Sequence, residues 1–385
     1  MEPHLAHIVQ GFRFEGDFVA AGPLGGGHIN DTYVARFQRA DGAPQRYVLQ
    51  RINHSVFKDP AALMQNIEAV TTHLRQKIVA AGGDPERETL NLIPTRDGAT
   101  FAALPGGQYW RAYRFIAGAR TYQVVENLHH VYSAARAFGR FQEQLSDFPA
   151  ERLHETIPDF HHTGKRYAAF VEAVARDAVN RARSVAAEIE FVVHRADDTS
   201  VLVDLLERGA LPERVTHNDT KLNNVMIDDV TGEGICVIDL DTVMPGLSLY
   251  DFGDCVRSAA NPTAEDERDL SKVCVDLSIF ERLVQGYLDT AGAFLTPAEI
   301  ELLPFAAKLI TLEQGIRFLA DHLNGDVYYK VHREGHNLDR CRTQLKQVVD
   351  IEDKFDRMMS IVAKAVAQIP GLSYSSSVSN SKRAQ

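Results

Sequence analysis

The sequence predicts an α+β protein with two lobes, an antiparallel sheet first and a mostly helical region after it. Three observations predict it. Segments of period-two alternation, broken by Gly-containing turns, are confined to residues 12–116. From residue 121 onward apolar residues recur at helical spacing instead. A single stretch of the helical region breaks that rule: Val215–Asp241, VTHNDTKLNNVMIDDVTGEGICVIDLD, reads as short strands that end on polar residues. A chain of 385 residues is also longer than one simple core usually holds. The division expected is a sheet lobe over 1–117, a helical lobe over 118–370 and a serine-rich, disordered tail over 371–385.

Residues 12–53 read as a β-meander. Phe18-Val19-Ala20 leads into Gly22-Pro23-Leu24-Gly25-Gly26-Gly27, then Thr32–Phe37 follows, and a turn at Asp41-Gly42 precedes Tyr47–Ile52. Gly25, Gly26 and Gly27 would let backbone N–H groups approach a phosphate closely. The third strand should carry a cation; Arg51 is the obvious candidate, and a shift of one residue selects Gln50, because neighbours on a strand face opposite ways. Asp59-Pro60 reads as N-cap and first-turn proline. Leu63, Ile67, Val70, Leu74 and Ile78 then make a helical stripe that stops at Gly82-Gly83. Glu68 lies on this helix, where it could pair with the strand cation or face solvent. Extended segments follow near Leu92–Pro94 and over Tyr109–Ile116, with Trp110 in the core. Ala117-Gly118 would form a hinge whose backbone from Phe115 to Ala117 faces a base edge.

Helices are expected from Val125 to Leu145, over 163–190 and over Leu202–Arg208, the last closed by Gly209. Ser278-Ile279-Phe280-Glu281 and Thr296-Pro297-Ala298-Glu299 each read as a capping box. Composition narrows the function. A net charge of −11 argues against nucleic acid and anionic membrane as partners. Cys236, Cys255, Cys274 and Cys341 have no metal-ligand spacing and read as reduced thiols, as in a cytoplasmic protein. There is no signal-peptide pattern and no run of the length a membrane helix needs. A monomer is compatible with the sequence.

The chemistry concentrates in the exceptional stretch. His217-Asn218-Asp219 is followed by Asn224, and Ile235-Cys236-Val237-Ile238 runs into Asp239. A carboxylate before an amide, with a second carboxylate at a strand end, is the arrangement kinases use. Asp219 can take the proton of a hydroxyl, while Asn224 and Asp239 can hold Mg²⁺ against the phosphates of ATP. Singly, each is equally readable as a cap or turn residue; the order and the strand between them favour the catalytic reading. Asp251-Phe252-Gly253 imitates a kinase metal motif, yet it follows a turn, Pro245-Gly246, instead of ending a strand. Asp251 is expected to anchor the catalytic loop from below. Asp241 could assist metal or substrate, or simply serve the turn.

This order resembles the aminoglycoside phosphotransferase and choline kinase branch of the kinase-like fold. Five blocks sharpen the resemblance to bacterial N-acetylhexosamine 1-kinases: GGGHINDTY (25–33), LQRINHSVFKDP (49–60), HNDTKLNNVMID (217–228), VIDLDTVMPGLSLYDFGD (237–254) and IRFLADHLNGDVYYKVHREGHNLDRCRTQL (316–345). The resemblance implies ATP-dependent phosphorylation of the anomeric hydroxyl of GlcNAc or GalNAc, with Mg²⁺ and a small-molecule sugar as the partner. His28 and Asn30 follow the glycine loop, where they could reach the phosphoryl group or the sugar, or merely shape the turn. Glu313, Arg317 and Asp321 share a helix face. Pattern alone suggests a surface salt-bridge ladder; the resemblance turns Arg317, Asp321 and Tyr328 into sugar-binding residues. The rivals are a kinase for another sugar, an amino alcohol or an aminoglycoside, and a catalytically inactive kinase-like binding protein. The absence of a lysine from the third strand is the feature that favours the inactive reading.

Overall fold

A computed structural model describes residues 3–25 and 29–372. The order of elements is α1 (Pro3–Val9), β1 (Asp17–Pro23), β2 (Asp31–Gln38), β3 (Pro44–Ile52), α2 (Pro60–Ala80), α3 (Pro85–Glu88), β4 (Ala102–Leu104) and β5 (Gln108–Arg114). The chain continues through β6 (Ala119–Arg120), α4 (Leu128–Gln144), α5 (Thr163–Arg176), α6 (Ala186–Val193), α7 (Val201–Glu207), β7 (Arg214–Thr216), β8 (Val225–Asp228) and β9 (Gly234–Val237). It ends with β10 (Met244–Gly246), α8 (Ser248–Ala259), α9 (Leu277–Ala291), α10 (Pro297–Glu301), α11 (Leu303–Leu323) and α12 (His336–Gln368). The architecture is the expected α+β: an antiparallel sheet region, then a helical region.

The five-stranded sheet has the order β1-β2-β3-β5-β4, antiparallel throughout. Its outer face, away from Gln50 and Arg111, is a cluster of Ala35, Phe37, Tyr47, Leu49, Trp110 and Ala112, covered by Leu5, Ile8 and Val9 of α1. β1 and β2 flank the glycine loop, and Leu24 N–H donates to Thr32 O to start their ladder. α2 begins as the sequence indicates: the Asp59 carboxylate accepts from Ala61 and Ala62 N–H, with Pro60 in the first turn. Its stripe of Leu63, Ile67, Val70, Leu74 and Ile78 is buried, each side chain contributing about 1.5–3 kcal/mol on burial. Asn66 on the same helix donates to His154 O and Val243 O and so ties α2 to the helical region.

In the helical region α4 packs on α9, and α11 packs on α5, α8 and α12. Small sheets interrupt the helices: β6-β8-β9 and β7-β10. They frame the loops around Asp219 and Asp239. Gly253 of α8 accounts in steric terms for the last letter of the imitation motif, because a Cβ there would meet Ala306 O of α11 at 2.6 Å. Phe252 is core and Asp251 is fully buried.

Three local expectations fail for local reasons. The helix expected over 163–190 ends at Arg176, because Asp177 turns left-handed (φ 40°) and its carboxylate collects Arg181 and Ala182 N–H. Ser278 is not an N-cap; Asp276 is, accepting from Ser278 and Ile279 N–H, whereas Thr296 and Glu299 do form the expected box. Leu92–Pro94 contributes a single bridge, Leu92 to Tyr113, not a strand. Most of the serine-rich tail, 373–385, lies outside the described residues. Among the described residues no helix is long and apolar enough to cross a membrane, and all four cysteines are free.

Candidate active site

The catalytic loop leaves β7 at Thr216 and reaches β8 through Leu222–Asn224. Asn218 adopts φ 65°, a left-handed conformation that Asn tolerates better than most residues. It is held there from several sides: its N–H donates to Asp251 Oδ1 (2.7 Å) and its Nδ2 to Thr242 O (2.9 Å). Asp251 also accepts from His217 N–H (2.9 Å) and Gln142 Nε2. Asp251 is thus the buried anchor that the turn before it suggested. The His217 ring completes the frame. Asp219 N–H donates to its Nδ1 (3.2 Å), which leaves Nε2 to donate to Ile238 O (2.9 Å).

Asp219 sits at the open end of this frame. Lys221 Nζ lies 2.7 Å from its Oδ1, and Asn224 Nδ2 donates to its carbonyl (2.8 Å) and its Oδ2 (3.2 Å). Burial pushes the Asp219 carboxyl up, but the Lys221 ammonium outweighs it and holds the group below the usual range. The Asp219 carboxyl is therefore ionised at neutral pH. Asn224 gives its amide N–H₂ to Asp219 and its backbone carbonyl to Ile238 N–H (2.9 Å), and its Oδ1 takes no hydrogen bond among the described residues.

Asp239 lies two residues past β9, in a left-handed turn (φ 61°) that leads into Leu240–Thr242, and opens onto the cleft. No hydrogen bond reaches its carboxylate from the described residues. Desolvation by the surrounding wall, then the charges of Asp241 and Asp219, push it up to about 6. A carboxylate with two like-charged neighbours and no donors has the electrostatics of a cation ligand. Asn224 Oδ1 and the Asp239 carboxylate are both hard oxygen donors, the kind that would hold Mg²⁺ together with phosphate oxygens. The residues present fit the ion. Among the described residues no group of three or more His, Cys, Asp or Glu is arranged to hold a metal by itself.

The sheet region supplies a different cation from the one expected. Arg51 is turned outward and pairs with Asp31, its direct cross-strand partner on β2. Glu68 is exposed on α2 and makes no ion pair with it. The inward position on β3 is Gln50, and opposite it on β5 stands Arg111. Arg111 is 1% exposed, donates from Nε to Gln50 Oε1 (3.0 Å) and forms an ion pair with buried Asp241. Asp241 also accepts from Asn30 Nδ2 (2.6 Å), while Asn30 Oδ1 receives Asn53 N–H. Asn30 therefore connects the glycine loop to Asp241 and does not point to a substrate. Gly25, at φ 68° with open space around it, begins that loop; Gly26, Gly27 and His28 lie outside the described residues.

At the hinge, Phe115 N–H donates to Arg46 O (3.3 Å) and the Ala117 carbonyl receives Arg87. The Phe115 carbonyl and the Ala117 N–H make no hydrogen bond among the described residues, and these are the groups left for a base edge. The third cluster lies on α11. Glu313, Arg317 and Asp321 do not form a ladder. Glu313 is buried against His161 Nδ1 (2.7 Å) and the Thr163 hydroxyl, and His161 Nε2 in turn donates to Asn218 O (3.0 Å). Asp321 accepts from Val327, Tyr328 and Tyr329 N–H and from Asn337 Nδ2. It shapes the loop that presents Tyr328, and its oxygens are not free for a sugar. Arg317 lies over Phe160 (5.0 Å) and Tyr329 (5.8 Å), and Tyr328 is exposed beside it.

Sequence reasoning missed Lys221, Arg111 and the His161–Glu313 pair. Lys221 was legible from its position between Asp219 and Asn224. Arg111 was not, because only the pairing of β3 with β5 puts it beside Gln50 and Asp241.

The profile of the phosphotransferase enzyme family (APH) matches residues 21–293, well over half the chain. The chain belongs to that family. Solved structures agree on the fold. A microcompartment-associated aminopropanol kinase is similar with a TM-score of 0.56 at 16% identity, over 93% of this chain and 98% of that one. An aminoglycoside phosphotransferase from Alicyclobacillus acidocaldarius gives 0.60 at 12% identity, over 94% and 96%. The amicoumacin kinase hAmiN, solved with AMP-PNP and Ca²⁺, gives 0.56 at 14% identity, over 90% and 93%. At these identities the likeness is one of fold.

Proposed function

We propose that this phosphotransferase is an ATP-dependent kinase that phosphorylates the anomeric hydroxyl of an N-acetylhexosamine, GlcNAc or GalNAc, to the sugar 1-phosphate. The observation that carries the kinase reading is the pair of opposed carboxylates. Asp219 is ionised and held by Lys221 and Asn224, and Asp239 faces the same cleft with no donor of its own. The sugar reading rests on the motif blocks at 237–254 and 316–345.

In this scheme Asp219 accepts the proton of the acceptor hydroxyl as its oxygen attacks the γ-phosphorus, and the bond to the β-phosphate oxygen breaks to release ADP. Asn224 orients the carboxylate. Lys221, paired with Asp219 before substrate enters, is placed to neutralise a phosphoryl oxygen during transfer. Asn224 and Asp239 would hold Mg²⁺, which supplies charge neutralisation for the nucleotide phosphates. Arg111 takes the role expected of a strand lysine: its guanidinium acts on the Asp239 carboxyl and opposes the rise that desolvation and the neighbouring carboxylates cause. The free hinge groups of Phe115 and Ala117 would face adenine.

A second reading is a kinase of amine-bearing acceptors, favoured by the similarity to the aminopropanol kinase and the aminoglycoside phosphotransferase. ATP consumption measured against N-acetylhexosamines, other hexoses, choline, ethanolamine, aminopropanol and kanamycin separates the two. Turnover of GlcNAc or GalNAc with formation of an acid-labile 1-phosphate is the expected result. Turnover of the amines alone would replace it.

A further inference from the structure

The hinge between the sheet and the helical region is held by one short helix. α3 has four residues, Pro85–Glu88, and none of them is buried. Apolar packing therefore holds little of it. Its own caps hold it instead. The Asp84 carboxylate accepts Glu86 N–H, Glu88 Oε1 accepts Asp84 N–H (2.6 Å), and Asn91 Nδ2 donates to Pro85 O (2.9 Å).

Three consecutive side chains of α3 then reach three parts of the molecule. Glu86 lies 3.2 Å from Arg114 Nε, at the end of β5 where the hinge begins. Arg87 Nη2 donates to Asp228 Oδ2 at the end of β8 (2.8 Å) and to the hinge carbonyls of Ala117 (3.3 Å) and Gly118 (3.4 Å). Glu88 lies 3.7 Å from Arg140 of α4. The middle contact is the one made to the hinge backbone itself, and its anchor is rigid. Asp228 Oδ1 accepts Val230 N–H (2.9 Å) and Thr231 N–H (2.8 Å), which form the β8–β9 turn, and Oδ2 is left for the guanidinium. Arg87 first, then the Thr231 and Val230 N–H groups, hold this carboxyl well below the usual carboxylate range. The pair therefore stays charged around neutral pH.

The hinge needs such a hold. Gly118 adopts φ 68°, and a glycine gives the chain freedom at that point. Arg87 and Asp229 N–H (2.9 Å) claim the Gly118 carbonyl, Arg87 claims the Ala117 carbonyl, and Arg46 O takes Phe115 N–H. What these contacts leave over is the Phe115 carbonyl and the Ala117 N–H.

We propose that Arg87 is a positioning residue for the nucleotide: by tying the hinge carbonyls to Asp228 it holds the Phe115 carbonyl and the Ala117 N–H at the spacing one base requires. This role rests on the reading of the hinge as the adenine contact. A base edge that needs one acceptor and one donor binds more tightly to a hinge already in place than to one ordered on binding. A guanidinium suits the task because its planar N–H groups keep their direction. Arg87 is partly exposed, and an exposed ion pair adds little to stability, so the effect falls on recognition of the base and not on the fold.

The test is calorimetric titration of ATP and of tripolyphosphate, each with Mg²⁺, into the wild-type protein and its variants. Tripolyphosphate offers the phosphate chain without the nucleoside, so the ratio of the two affinities isolates the hinge and is independent of the acceptor. The wild type should bind ATP more tightly than tripolyphosphate. In Arg87→Ala that advantage should shrink by roughly tenfold, with tripolyphosphate binding unchanged. Arg87→Lys, whose ammonium stops one bond short of Nη2 and can serve Asp228 without the hinge, should lose the same advantage; it carries the test if the alanine variant does not fold. A purely structural role would weaken both ligands together. An unchanged ratio in a folded variant would therefore overturn the role of Arg87 and leave the hinge reading intact. Wild-type protein that binds ATP no better than tripolyphosphate would overturn both.

Discussion

The turn that carries Asp239 and the first helical turn that carries Asp251 flank the same catalytic loop and treat a carboxylate in opposite ways. Asp251 is buried and receives three donors, two of them the backbone N–H groups of His217 and Asn218. Asp239 opens to the cleft, receives none, and is crowded by Asp241 and Asp219. The first arrangement uses the charge to hold backbone in a strained conformation. The second leaves the charge unsatisfied and ready for a cation. The residues around an aspartate, not the letters beside it, decide which role it takes; the DFG at 251–253 shows this directly.

The largest effect expected is on the residue both turns serve. Asp219→Asn keeps the shape and removes the proton acceptor, so kcat should fall on the order of 10²–10⁴ with nucleotide affinity retained. A near-normal kcat would show that the base lies elsewhere. Asp251→Ala should act on stability. It strands two buried N–H groups, at about 1–3 kcal/mol each, and thermal denaturation should show a clear drop in Tm. Asp239→Ala should leave Tm nearly unchanged. It should raise the Mg²⁺ concentration needed for activity at least by the roughly tenfold to a hundredfold typical of losing a supporting group. The comparison breaks if the metal defect appears in the Asp251 variant and the stability defect in the Asp239 variant.

The smallest effect expected concerns a third carboxylate, Glu313, which is buried and paired with His161. His161 is raised above its ordinary 6.5 by Glu313 against the opposing effect of burial. Its contribution to stability is therefore full below about 6.5 and is lost as pH rises through the raised value. Glu313 is lowered below its ordinary 4.5, chiefly by His161 against burial, so its contribution is lost only as pH falls through that lowered value. Tm of the wild type should decline on going from neutral to alkaline pH more steeply than Tm of Glu313→Gln. Parallel profiles would remove the pair from the account.

Much of this was legible in the sequence because it is local. Asp219, Asn224 and Asp239 are set by spacing along one stretch, and Asp59, Thr296 and Gly209 act within a turn of themselves. What was illegible is nonlocal. Arg51 and Gln50 could not be told apart without the register of β2 and β3, and Arg111 gains its meaning only from β5 lying beside β3 and from Asp241 across the cleft. Asp321 is assigned to the sugar by the resemblance of the block at 316–345, and a motif does not show the loop that folds back onto this carboxylate. Asp177 looked helical because a left-handed residue leaves no mark on periodicity.

The His217 ring has a mechanical meaning beyond its hydrogen bonds. One nitrogen takes the N–H of Asp219 and the other reaches the carbonyl just before Asp239. The imidazole is a strut of fixed length between the residue that would take the proton and the residue that would hold the metal. Its neutral tautomer is dictated by those two contacts, one of which must be a donor and the other an acceptor. The gap across which a phosphoryl group would travel is thus set by the width of an aromatic ring, and a residue of different reach at this position would alter the distance between the two carboxylates while leaving both of them in place.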